Sequence, residues 1–289
     1  MKLSDINIRD PFVLVDGGKY YLYGSRGQTA SGIATGLDVY VSEDLVEWSD
    51  PIEAFTKPTD FWADRDFWAP EVHCYRGSYY MFVSFRSETA ERGTQILKAS
   101  SPLGPFLPHS NGPVTPRDWR CLDGTLYVED GVPYMIFCHE WTQIGNGEMC
   151  AMELTPDLSA GVGEPRVLFC AGEPKWARSL REGCDAYVTD GPFLHRTREG
   201  KLIMIWSSFD KNGYVEAVAV SDNGSIGGNW SHCQNLFSSV NGGHGMLFYD
   251  LLGQLRFVMH SPNSPKYTER PHIFKVAELE GDPYLTFLD

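Results

Sequence analysis

Residues 8–25 read IRDPFVLVDGGKYYLYGS, and this stretch decides the fold. An apolar run, a tight Asp16-Gly17-Gly18 turn and an aromatic run form a β-hairpin. Asp10 stands at its root, where a bare carboxylate is costly to desolvate. The hairpin is not alone. It returns as WAPEVHCYRGSYYMFVSF (68–85), CLDGTLYVEDGVPYMIFCH (121–139), VTDGPFLHRTREGKLIMIWSS (188–208) and GGHGMLFYDLLGQLRFVMHS (242–261). A weaker pattern follows each copy: DVYVSEDLVEWSDP (38–51), TQILKASSPLGPF (94–106), CAMELTPDLSAGVGEP (150–165), YVEAVAVSDNGSIGGNW (214–230) and HIFKVAELEGDP (272–283). These read as a third strand, a polar turn and an outer edge strand.

Four strands in each of five units describe an all-β fold, a five-bladed β-propeller with four antiparallel strands per blade. A β-sandwich and a two-domain α/β protein are the alternatives. No long 3.6-residue periodicity supports helices, which counts against the second. One propeller domain is expected over residues 1–289. Aligning the copies puts Asp10, Glu71, Asp123, Asp190 and His244 at the start of the innermost strand of each blade. Their side chains then converge on one cavity at one face.

Composition narrows the function. The formal net charge of −14 disfavours nucleic acid and anionic membranes and accepts a neutral ligand such as a sugar. The seven cysteines are scattered without metal spacing, which predicts buried, reduced thiols. No apolar leader follows Met1, so a cytoplasmic location or a trimmed leader is expected. No apolar run is long enough to span a membrane. The sequence says nothing of oligomeric state.

Several acids around one water-poor funnel push each other's pKa values apart, which acid–base chemistry requires. Hydrolysis of a glycosidic bond needs such a pair on opposite sides of a sugar ring. Trp62, Phe67, Trp68, Trp119 and Trp141 are candidates to stack on that ring. Each acid also has a plain structural reading. Asp10 before Pro11 can start a turn, Asp123 and Asp190 precede glycine as turn residues do, and Glu71 can bond backbone. His244 can simply pack on the axis, and Arg270 can pair with Glu269 at the surface. The shared register favours the site reading.

The Arg-Asp-Pro lead-in (9–11), Trp-Ala-Pro-Glu (68–71), Leu-Asp-Gly (122–124) and Gly-His-Gly (243–245) resemble glycoside hydrolase family 43 across all five blades. The resemblance implies an inverting glycosidase acting on arabinofuranosyl- or xylosyl-containing plant oligosaccharides. α-L-arabinofuranosidase is the first expectation. A β-xylosidase, a related propeller glycosidase or a non-catalytic sugar-binding propeller are the alternatives. Asp10 would be the general base, and Asp123 would orient the proton donor and raise its pKa. Trp68, Glu71, His244 and Arg270 would bind substrate. No cofactor is required by the resemblance; a calcium ion beside His244 on the axis is the one metal it admits.

The donor departs from the family pattern, with Asp190-Gly191-Pro192 in place of Glu-Gly-Pro. Aspartate is one methylene shorter, and proton transfer needs hydrogen-bond reach. Glu140, at the end of a returning strand, is the rival donor, with Glu182 and Asp185 behind it. Loops 26–37, 86–93 and 173–187 are expected to wall off one end of the cavity.

Overall fold

Strand and turn alternate as the hairpin repeat requires, and the computed structural model describes residues 1–289. Blade 1 contains β1 (Ile8–Asp16), β2 (Lys19–Arg26), β3 (Gly36–Ser42) and β4 (Ile52–Thr56). Blade 2 contains β5 (Arg65–Tyr75), β6 (Ser78–Arg86), β7 (Gly93–Ala99) and β8 (Leu107–Pro108). Blade 3 contains β9 (Cys121–Glu129), β10 (Val132–His139), β11 (Glu148–Leu154) and β12 (Gly161–Cys170). Blade 4 contains β13 (Asp190–Arg196), β14 (Leu202–Asp210), β15 (Gly213–Ser221) and β16 (Trp230–His232). Blade 5 contains β17 (Gly243–Tyr249), β18 (Leu255–Ser261), β19 (Arg270–Glu278) and β20 (Leu285–Phe287). Each blade is an antiparallel meander of consecutive strands, giving the expected five-bladed propeller. One short helix, α1 (Trp141–Ile144), interrupts blade 3. No helix is long and apolar enough to cross a membrane.

Local chemistry explains the hairpins. The β1–β2, β5–β6 and β9–β10 turns place two consecutive residues at positive φ: Gly17-Gly18, Arg76-Gly77 and Asp130-Gly131. That backbone twist matches the twist of the flanking strands. The outer strands of blades 1, 2 and 5 fall later than the sequence suggests. β4 lies at 52–56 rather than within 38–51, because Asp44 caps a turn by accepting the N–H groups of Val46 and Glu47.

The core lies between blades. Middle strands are buried on both faces, so Leu202–Trp206 reads as an unbroken apolar run. Trp48 and Trp230 are buried plugs in the inter-blade clusters. All seven cysteines are free. Four are buried as expected, but Cys74 and Cys184 are exposed because their neighbours lie at a hairpin end and in a surface loop.

No strand is exchanged to close the ring. Blades 5 and 1 are joined by side chains instead. Arg9 Nη1 donates to Glu269 Oε1 at 2.8 Å and Nη2 to Asn263 Oδ1 at 2.7 Å. Asn7 Nδ2 donates to the Glu269 carbonyl at 2.8 Å.

Candidate active site

The site begins with a repeated distortion of the backbone. Each innermost strand has a residue at positive φ at its bulge: Asp10 at 53°, Ala69 at 47°, Asp123 at 58°, Gly191 at 53° and His244 at 51°; β5 carries a second, Asp66 at 55°. The strand pairing slips there, between Arg9 and Phe12, Trp68 and Glu71, Asp190 and Phe193, and Gly243 and Met246. In blade 3 the slip falls between Leu122 and Thr125, which pair with Cys138 and Ile136. Such bulges re-aim a side chain, and each non-glycine residue so held costs about 1–3 kcal/mol.

A ring of hydrogen bonds between blades holds the strain. The N–H of Ala69 donates to Ser25 Oγ at 2.8 Å, that of Asp123 to Ser84 Oγ at 2.9 Å, and that of His244 to Ser207 Oγ at 2.7 Å. The N–H of Asp10 donates to His260 Nδ1 at 3.2 Å. Each acceptor sits near the end of the second strand of the preceding blade. Cys138 holds that position in blade 3, and the Gly191 N–H donates to Asp123 Oδ2 at 3.0 Å instead.

This register corrects the alignment read from the sequence. Ala69, not Glu71, is the blade 2 counterpart of Asp10, and Gly191, not Asp190, is the blade 4 counterpart. Asp190 nevertheless enters the cavity from the residue before the bulge. Glu71 lies two residues past its bulge, hydrogen-bonded to His73 Nε2 at 3.1 Å, and does not line the cavity.

Asp10, Asp123, Asp190 and His244 meet in a cavity of about 380 Å³ at the face where the innermost strands begin. His244 Nδ1 stands 3.2 Å from Asp10 Oδ1 and 3.7 Å from Asp123 Oδ2, linking the two carboxylates. Ser25 Oγ donates to Asp10 Oδ2 at 2.6 Å, and Tyr214 Oη donates to Asp190 Oδ2 at 3.0 Å.

The electrostatics separate the acids. Burial alone would raise the pKa of Asp10, but His244, Arg9 and the Ser25 hydrogen bond bring it below the usual carboxylate value. Burial and the neighbouring Asp123 carboxyl push Asp190 up to about 7, against the pull of His244 and Tyr214. Asp123 is itself held well above the carboxylate range by burial and by Asp10. One carboxylate is therefore poised to stay charged and another to stay protonated near neutrality. Burial lowers His260 to about 3, which keeps the ring neutral and lets Nδ1 accept the Asp10 N–H.

Of the five aromatic candidates for stacking, Trp68 alone lines the cavity. Its indole Nε1 donates to the Ala30 carbonyl at 2.7 Å, and the Arg92 guanidinium lies 4.1 Å from its ring centroid. Phe67 is buried in the core, Trp62 donates to Gln95, Trp119 stacks on His139, and Trp141 lies under Arg181.

Glu140 is placed outside the cavity lining. Arg92 Nη1 donates to its Oε2 at 2.5 Å while Nη2 donates to Asp66 Oδ2 at 2.8 Å, so this buried cluster sits behind Trp68 and props it. Arg270 is also outside, because its Nε donates to the Ser4 carbonyl and its Nη1 to the Glu269 carbonyl. Glu182 and Asp185 do not line the cavity. The cations that line the cavity are Arg9, which the opening motif contains, and Lys266; the sequence reading singled out neither. Tyr214 and His260 were likewise missed. The signal for His260 was present: Ser25, Ser84, Ser207 and His260 recur near the ends of the second strands.

The protein side chains do not form a calcium site by themselves. No group of three or more His, Cys, Asp or Glu side chains is arranged around a common centre for a metal ion. His244 Nδ1 already faces two carboxylates, and calcium prefers 6–8 oxygens to a ring nitrogen.

Comparison with known proteins agrees with this architecture. Residues 4–276 match the family profile described as Glycosyl hydrolases family 43. Among curated proteins, a xylosidase/arabinosidase of Bacteroides ovatus is 28% identical over 139 residues, 42% of this chain and 42% of that protein. An extracellular endo-alpha-(1->5)-L-arabinanase of Bacillus subtilis is 25% identical over 148 residues, 47% of this chain and 45% of that protein. Both matches thus span less than half the length of the relative. Among solved structures, an endo-arabinase from Bacteroides thetaiotaomicron superposes with a TM-score of 0.90 at 41% identity, covering 98% of both chains. A thermostable family-43 glycoside hydrolase superposes at 0.84 and 26% identity, covering 98% of this chain and 93% of the other. With a profile match over nearly the whole sequence and a 41% identical relative covered end to end, the chain belongs to glycosyl hydrolases family 43.

Proposed function

We propose that this chain is an inverting glycosidase that removes arabinofuranosyl units from arabinan-type plant oligosaccharides. The observation that carries the reading is the meeting of Asp10 and Asp190 in one cavity with different partners: His244, Arg9 and Ser25 favour the charged form of the first, while burial and Asp123 push the second up to about 7. Asp10 takes a proton from a water as that water attacks the anomeric carbon. The glycosidic bond breaks, and Asp190 delivers its proton to the leaving oxygen. Asp123 supports the donor: it accepts the N–H of Gly191, next in the chain, and two buried carboxyls side by side disfavour the charged form of Asp190. Trp68 supplies an apolar face for the sugar ring. The arabinofuranosyl choice draws on the relatives named endo-arabinase, at 41% identity, and endo-alpha-(1->5)-L-arabinanase, at 25%.

The test uses nitrophenyl α-L-arabinofuranoside, nitrophenyl β-D-xyloside and arabino-oligosaccharides. Turnover of the arabinofuranosides is expected, with the inverted anomer appearing first by proton NMR. Asp10→Asn should cut kcat about 1,000-fold with melting behaviour preserved. Asp190→Asn should cost far more on an oligosaccharide than on nitrophenol, which leaves without a proton. Xyloside cleavage alone would transfer the reading to a xylosidase. Sugar binding without any hydrolysis would transfer it to a binding propeller, consistent with the shortened donor.

A further inference from the structure

We infer that the cavity accepts a glycan by its end, because a wall built from blades 1 and 5 blocks the path through it; this rests on the glycosidase reading above. The wall follows from unequal loops on the active-site face. Between its second and third strands, blade 1 carries residues 27–35 and blade 5 carries residues 262–269. Blade 4 carries only Lys211 and Asn212 at the same place. Gly27, Ala30 and Ser31 line the cavity from the first loop, and Asn263, Lys266 and Glu269 are among those that line it from the second. From blades 3 and 4 the lining is limited to Leu122, Asp123, Asp190 and Tyr214, which sit at or near the strand starts and form the floor.

The two loops meet. Lys266 Nζ donates to Ser31 Oγ at 3.1 Å across the boundary between blades 5 and 1. Each loop is also anchored from behind. Trp68 holds the Ala30 carbonyl at 2.7 Å, and the Ala34 N–H donates to the Asp64 carbonyl at 2.9 Å. Asn7 holds the Tyr267 and Glu269 carbonyls, and Arg9 holds the Asn263 side chain. The bridge itself is an exposed hydrogen bond of modest strength; the anchors fix each loop by itself, and the Lys266 and Ser31 side chains fill the gap between them.

The direction of the chemistry agrees with the wall. Asp190 protonates the leaving oxygen and belongs to blade 4, from which no loop residue lines the cavity. The departing chain therefore lies over blade 4, and the unit being released sits against Arg9, Asn263 and the blade 1 and 5 loops. Residues beyond that unit would collide with the wall. The enzyme should release the terminal unit rather than cut within a chain, unlike a protein named an endo-arabinase.

The test is the product pattern from linear α-1,5-arabinan and from arabinopentaose labelled at its reducing end. Supporting results are a labelled product one unit shorter at the earliest time points, and reducing ends accumulating with little loss of viscosity. A mixture of internal fragments with a steep early fall in viscosity would overturn the inference while leaving the glycosidase reading intact. Lys266→Gly combined with Ser31→Gly should raise the share of internal cleavage severalfold; an unchanged share would remove the bridge from the argument and overturn its assigned role. Should hydrolysis be too slow to follow, Asp10→Asn is titrated with arabinopentaose whose non-reducing end is free or methyl-capped. At least tenfold tighter binding of the free form supports end recognition, and equal binding overturns it. Neither cleavage nor binding of any arabinoside would defeat the glycosidase reading and this inference together.

Discussion

Three aspartates in one cavity differ because of what surrounds each. Asp10 has His244, Arg9 and Ser25 to stabilise its charge, whereas Asp190 has only Tyr214 and His244 against burial and Asp123. The pH profile follows. Asp190 must be protonated to act as donor, so activity should fall on the alkaline side with an apparent pKa near 7. The acidic limb, set by Asp10, should lie below the usual carboxylate range. The Tyr214 hydroxyl stabilises the charged form of Asp190, so its removal raises that pKa. Tyr214→Phe should therefore move the alkaline limb of kcat/KM to higher pH while the acidic limb stays put. An unmoved alkaline limb would separate Asp190 from the proton donor.

At the scale of strands, the bulge is the unit that makes the site. A regular strand would alternate side chains between faces; the positive-φ residue breaks that alternation and turns Asp10, Asp123 and His244 inward. The strain is balanced by the preceding blade, so each blade positions the next. Ser84→Ala leaves the buried Asp123 N–H without its acceptor, a cost of about 1–3 kcal/mol. Chemical denaturation should show that loss, whereas Ser87→Ala on the exposed loop nearby should change stability by no more than about 0.5 kcal/mol. The hairpins themselves were legible in the sequence, since Asp-Gly and Gly-Gly turns between apolar runs have a direct backbone meaning. The register was less so. Trp68-Ala69-Pro70-Glu71 offers a carboxylate in the expected place, and nothing in the composition marks Ala69 as the bulged residue. Glu71 lies two residues beyond the bulge at Ala69, so aligning acids with acids placed it in the cavity when it sits further along the strand.

The whole ring depends on a closure made by side chains. Glu269 is buried against the partly exposed Arg9, and Glu269→Ala should destabilise the fold by roughly 1.5–3 kcal/mol by removing this charge-assisted hydrogen bond across the closure. A shifted denaturation midpoint would register it; an unshifted one would mean the ring closes by other contacts. A second whole-molecule property is stability against pH. Glu216 is fully buried, accepts from Ser207 Oγ and the Gly245 N–H, and is pushed up from 4.5 to about 8 by burial. The folded state then holds a proton that the unfolded state releases, so stability falls as pH rises from about 4.5 to 8. Glu216→Gln should flatten the decline of melting temperature over that window; an unchanged slope would place the linked proton elsewhere.

The sequence by itself determined the five-bladed plan, the hairpin turns and the presence of Asp10, Asp123, Asp190 and His244 at one face, because repeated strand patterns and turn chemistry act over a few residues. Only the tertiary structure decided that Arg9 lines the cavity while Arg270 does not, that Glu140 props Trp68 from behind, and that the 262–269 loop rather than 86–93 or 173–187 forms the wall with 27–35. Those outcomes depend on which side chains meet across blade boundaries, between residues as distant in the chain as Arg9 and Glu269, and no local pattern encodes such a meeting.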